Sequence, residues 1–158
     1  MALKQNGVPD GRFVFTTLDN YYHCLDLSTR KRLWSFQSPV IEQGYYAGFG
    51  GTQTVEDTMF DFARVSRKIF AFTYDAKAPG NVRLLWNIAL GNRFGRILDT
   101  DNRQFMHVMT PENTLLRINQ STGTIEKEYP LLWDGFPQIR DNVAYISSSR
   151  YVYAMKLE

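Results

Sequence analysis

Side chains able to do chemistry are few in this sequence and poorly grouped. His23 and His107 have no cysteine or carboxylate at ligand spacing, so a zinc site is not expected and each reads as a packed or surface strand residue. No Gly-x-Ser-x-Gly elbow and no His-Glu-x-x-His pair occurs. The segment Ala47-Gly48-Phe49-Gly50-Gly51-Thr52 is glycine-rich, yet it lacks the lysine and following helix that cradle a phosphate, and it reads as a loop. A single cysteine, Cys24, excludes an intrachain disulfide. The reading therefore assigns no catalytic residue, no metal and no cofactor.

Binding residues are easier to nominate. The connection from Gln43 to Thr58 is longer than the usual link between elements and carries Tyr45, Tyr46 and Phe49. Long loops on a rigid scaffold collect binding residues, and aromatic side chains give large contact area at little entropic cost. A second polar turn, Ala76 to Asn81, contributes Lys77 and Asn81 to the candidate set. The other reading of the loop, that its aromatics cap the local core, stays open.

Charge and hydropathy exclude several partner classes. Net charge is +2 over 158 residues with the basic groups spread along the chain, so no nucleic-acid footprint is present. The densest basic run, Arg30-Lys31-Arg32, reads as a solvated turn. No stretch approaches the roughly 18 apolar residues of a membrane span, and the first residues lack the apolar core of a signal peptide. The compartment is left open. Asn119-Gln120-Ser121 fits the glycosylation triplet, a pattern common by chance.

The elements that must carry these residues are strands. Apolar residues alternate with residues of another character at Phe13 and Phe15, Phe60 and Phe62, Met106 and Val108, and Val143 and Tyr145. With 44% hydrophobic residues the chain has enough apolar material for a core. Sliding the chain on itself lays the stretch from Arg12 to Asp26, without gaps, on stretches beginning at Met59, Phe105 and Asn142. Each copy reads as a β-hairpin, with Tyr22, Ile69, Leu115 and Val152 in one column and Leu25, Phe72, Ile118 and Met155 in another. A turn and a third strand follow the first three hairpins, and a fourth strand fits before the next hairpin, most clearly at Phe136 to Asn142. Units of three or four antiparallel strands repeating about every 40 residues are the mark of propeller blades.

Tyr22-His23-Cys24-Leu25-Asp26-Leu27-Ser28-Thr29-Arg30-Lys31-Arg32-Leu33-Trp34 resembles the PQQ-like propeller repeat: aliphatic-Tyr-Ala-Leu-Asp, two residues, Thr-Gly-Lys, two residues, Trp. Tyr151 to Met155 and Arg117 to Gly123 each keep part of the pattern; Arg30 stands at the turn glycine of the first copy and Lys127 at the tryptophan of the third. Independently of the resemblance, a side-chain oxygen at Asp26 or Asn119 can close the turn, and Gly123 can supply a positive φ. Trp34 and Trp86 offer flat surfaces where one blade can pack on the next.

The expected fold is all-β: about four PQQ-like or WD40-like blades in a single partial propeller over residues 1–158, with units near 9–42, 59–90, 105–132 and 136–158 and an insertion loop at 43–58. The resemblance implies a periplasmic or other extracytoplasmic setting, and places the inter-blade loop beside the 76–81 turn. It also implies blade faces and edges to be covered by a protein partner or a second copy; the segment Ala2 to Val8 is a further candidate to add a closing strand. The quinoprotein dehydrogenases that share the repeat need a full ring, a metal site and often a disulfide, none of which can be placed here. The expected function is a non-catalytic interaction or assembly scaffold; a small-ligand or glycan receptor is the alternative, and a dehydrogenase fragment the least favoured.

Overall fold

The computed structural model describes residues 12–16, 21–40, 53–55, 57–63, 66–75, 77–78, 81–91, 96–99, 104–132, 137–147 and 150–157. Every regular element among them is a strand, and the strands form four antiparallel sheets in chain order. Blade 1 joins β1 (Arg12–Thr16), β2 (Tyr21–Asp26) and β3 (Lys31–Gln37). Blade 2 joins β4 (Gln53–Val55), β5 (Thr58–Ala63), β6 (Lys68–Tyr74) and β7 (Val82–Ala89). Blade 3 joins β8 (Arg96–Asp99), β9 (Phe105–Thr110), β10 (Thr114–Asn119) and β11 (Ile125–Pro130), and blade 4 joins β12 (Gln138–Arg140), β13 (Val143–Ser147) and β14 (Val152–Lys156). All four are simple meanders. Thus β4 lies within the stretch 43–58 that reads as loop.

The core lies between blades. Tyr22, Cys24, Trp34 and Phe36 of blade 1 pack with Met59, Ala63, Phe70 and Phe72 of blade 2. Phe60, Phe62, Ile69, Ala71 and Trp86 on the opposite face of blade 2 pack with Met106, Val108, Leu116 and Ile118 of blade 3. Met109, Leu115 and Tyr129 of blade 3 then meet Ala144 and Ile146 of blade 4. β8 approaches both β5 and β12, so the blades draw together along this edge.

Burial patterns record which faces are covered. A strand sandwiched between two sheets has no reason to alternate, and both β5 and β9 are buried at five consecutive residues. β13 alternates strictly, with Ala144 and Ile146 buried and Tyr145 and Ser147 exposed, because only one of its faces is covered. β2 alternates over its first four residues between half-buried and buried.

The repeat is real, but its register differs from the gapless one. The second-strand columns hold, since Tyr22, Ile69, Leu115 and Val152 each pair across the hairpin at equivalent places, with Thr16, Phe62, Met109 and Ser147. The equivalents of Arg12 are Thr58, Phe105 and Val143, where the gapless comparison has Met59, Phe105 and Asn142. The first hairpin turn is one residue longer in blade 2 and one shorter in blade 4. A one-residue slip reverses every side chain on the strand. Phe60, aligned in sequence with Met106, therefore points toward blade 3 while Met106 points back toward blade 2.

Two local devices recur. A register shift falls at Cys24/Leu25, Ala71/Phe72 and Arg117/Ile118, one bulge at the same place in three successive blades. In the turns after β2 and β10, Asp26 Oδ1 accepts from the Ser28 and Thr29 amides at 2.8 and 3.1 Å, and Asn119 Oδ1 accepts from the Ser121 and Thr122 amides at 3.0 and 3.2 Å. Gly123 then takes φ 75°, and Arg30, at the same turn position, takes φ 56° despite its side chain.

Candidate interaction surfaces

Of the five residues nominated from sequence, Tyr45, Tyr46 and Phe49 lie outside the described residues. Lys77 and Asn81 are both exposed in the turn between β6 and β7. Asp75 Oδ1 accepts from the Lys77 amide at 2.8 Å, and the Ala78 carbonyl accepts from the Asn81 amide at 2.9 Å, so the backbone of this turn is tied down. Turns of this class, after β2, β6 and β10, close the same end of successive blades. Among the described residues, no three His, Cys, Asp or Glu side chains gather as a metal site would require. Cys24 and His107 are buried within the strands.

The tryptophans are inter-blade locks, as their spacing predicts. Trp34 stacks on Phe36 at 5.2 Å and reaches across to Tyr74 of blade 2 at 5.1 Å. Trp86 reaches the equivalent place on blade 3, where its Nε1–H donates to the Gln120 carbonyl at 2.7 Å. A Cβ at Gly123 would lie 2.7 Å from the indole carbons, so this position has a second reason to be glycine. Lys127 occupies the tryptophan place in blade 3, opposite Arg117, and sets its ammonium 5.2 Å from the Tyr129 ring centre.

One cross-blade contact escapes sequence pattern. The Tyr22 hydroxyl donates to Asp61 Oδ2 at 2.6 Å between blades 1 and 2, and the other carboxylate oxygen accepts from the Phe62 amide at 2.7 Å. The available signal was a carboxylate between two phenylalanines in a strand buried on both faces.

Among the described residues, the outward face of blade 4 is exposed. Val152 is 71% exposed, although its equivalents Tyr22, Ile69 and Leu115 are 2%, 0% and 0% exposed against the next blade. Tyr145, equivalent to the buried Phe60 and His107, is 44% exposed. Ala154 pairs with Tyr145 and widens the patch, while Lys156 and Arg140 flank it. At the other end, His23 and Leu25 of blade 1 are half-buried at positions where Phe70 and Phe72, or Leu116 and Ile118, disappear against the preceding blade. Sequence reasoning set Val152 in one column with Tyr22, Ile69 and Leu115; the column was visible, but the exposure of its blade 4 member was not.

No protein-family model matches the chain, and no curated protein sequence matches it. Solved structures do. BamB from Moraxella catarrhalis superposes with TM-score 0.61 at 16% identity, over 93% of this chain and 43% of that one. The β-propeller domain of Cps50 (Swd1) from Myceliophteria thermophila gives TM-score 0.63 at 10% identity, over 94% and 51%. The computationally designed Ika8 protein gives 0.64 at 12%, over 96% and 44%. The fold is that of β-propeller blades. The chain spans about half the length of the structures it matches.

Proposed function

We propose that this chain is a non-catalytic interaction scaffold, a PQQ-like set of propeller blades that binds a protein partner through an uncovered blade face. The observation that carries the reading is the exposure of Tyr145 and Val152, whose equivalents Phe60 and His107, and Tyr22, Ile69 and Leu115, are buried. A flat sheet face with uncharged side chains at its centre and Lys156 and Arg140 at its margin has the layout of a protein interface, apolar within and polar at the rim. A face of this kind can be covered by the sheet of another protein. The resemblance of Tyr22 to Trp34 to the PQQ-like repeat supports the blade type.

The test is a photo-cross-linking residue placed at position 145 in the full chain, compared with one at Leu84 on the outer strand β7. The reading predicts polypeptide adducts from position 145 that are absent from position 84. Equal labelling from both, or none from 145, would overturn it.

A further inference from the structure

One register row separates blade 3 from the two blades before it. Across β1, β2 and β3 the row is Val14, Cys24 and Trp34, and across β5, β6 and β7 it is Phe60, Ala71 and Trp86. In both, a small residue is paired with a tryptophan whose indole crosses to the next blade, at Tyr74 or at Gln120. Across β9, β10 and β11 the same row is His107, Arg117 and Lys127, and Asp99 continues it on β8. Arg117 lies on the face of Leu115, which packs with Ala144 and Ile146, so this row faces blade 4. Basic residues thus stand in the junction of blades 3 and 4 at the places where the other two junctions have apolar ones.

We propose that the junction of blades 3 and 4 is the compliant joint among the three described, the one at which blade 4 turns or parts from its neighbour before the other junctions yield. Arg117 Nε is buried without a hydrogen-bond partner, a desolvation cost that closing this junction imposes. The guanidinium finds its partners within blade 3, with Glu126 Oε2 at 3.6 Å and the Phe105 ring centre at 4.5 Å. Lys127 is exposed and lies over the Tyr129 ring of the same blade. Trp34 and Trp86, by contrast, grip the blade that follows. Counted from the column of Ile69, Leu115 and Val152, Leu157 stands in blade 4 where Tyr74 and Gln120 stand in blades 2 and 3. Leu157 is buried, so the surface an indole from blade 3 would meet is in place while Lys127 replaces the indole. Cooperative units separate first where the fewest apolar contacts are lost. On the scaffold reading this makes the exposed face of blade 4 adjustable, but exchange measured without any partner tests the joint apart from that reading.

Native-state hydrogen exchange of the full chain, read by peptide mass spectrometry, tests this by comparing β13 with β2, the middle strands of blades 4 and 1. In the parent, β13 amides should exchange at least about 10-fold faster than those of β2. The double variant Arg117→Ala, Lys127→Trp gives blade 3 the small residue and tryptophan of blade 2. It should slow β13 exchange by at least about 10-fold and leave β2 unchanged. Should it fail to fold, Lys127→Trp alone, a change at an exposed position, takes its place. Exchange of β13 as slow as that of β2 in the parent, no slowing of β13 in a folded variant, or equal slowing of both strands would overturn the proposal.

Discussion

Replacing Gly123 by Ala sets two separable costs against each other at the junction of blades 2 and 3. The first is conformational: at φ 75° an added Cβ costs about 1 to 2 kcal/mol whatever surrounds it. The second is steric, because the new methyl would lie 2.7 Å from two carbons of the Trp86 indole, itself held by its hydrogen bond to Gln120. Overpacking of this kind costs about 1 to 3 kcal/mol. Gly123→Ala should therefore lose about 2 to 5 kcal/mol. In a Trp86→Ala background, itself lower by about 3 to 5 kcal/mol, the steric cost disappears and the conformational one remains. Urea unfolding followed by far-UV circular dichroism on the four proteins of the cycle gives the coupling, expected at about 1 to 3 kcal/mol. If Gly123→Ala costs the same with and without the indole, Trp86 does not cross to blade 3 as described.

Other outcomes follow from the same structure. Arg30→Gly relieves a non-glycine residue at φ 56° and should raise stability by up to about 1 kcal/mol in urea unfolding, the relief being offset in part by a more flexible unfolded chain. Tyr22→Phe removes the hydroxyl donating to the buried Asp61 and should cost about 1 to 3 kcal/mol, the range for depriving a buried acceptor of a partner. Hydrogen bonds from the Ser28 hydroxyl and the Thr29 and Ser28 amides hold the Asp26 carboxyl down from 3.8 to about 2. A folded-state pKa below the unfolded one stabilises fully above the unfolded value and is lost as pH falls through the folded value. The melting-temperature advantage of the parent over Asp26→Asn should thus be constant above about pH 5 and vanish as pH falls through about 4 to 2.

The hairpin strands and the two second-strand columns were legible because a strand with unlike faces writes its period into the sequence, whereas β4, three residues long, was read as loop. The turn chemistry was legible too: Asp26, Asn119 and Gly123 do what their side chains, or lack of one, predict. First-strand register was not, since a turn can gain or lose one residue without disturbing composition, and that residue decides whether Phe60 faces forward or back. β5 and β9 hid their faces because both are buried on each side. Of the candidate site, Lys77 and Asn81 prove exposed, whereas Tyr145 and Val152 were invisible as surface. Their residue types suit a core, and only the stacking order shows that blade 4 has no described follower.

Tyr22 and Tyr145 are two tyrosines on the forward faces of different blades, one covered and one open, so they report directly on the central claim. Hydroxyl-radical footprinting of the chain, alone and in the complex captured from position 145, compares them by mass spectrometry. The account predicts that Tyr22 stays protected in both, while Tyr145 oxidises readily in the chain alone and becomes protected in the complex. Tyr145 oxidising equally fast in both, or Tyr22 oxidising as fast as Tyr145 in the chain alone, would contradict it.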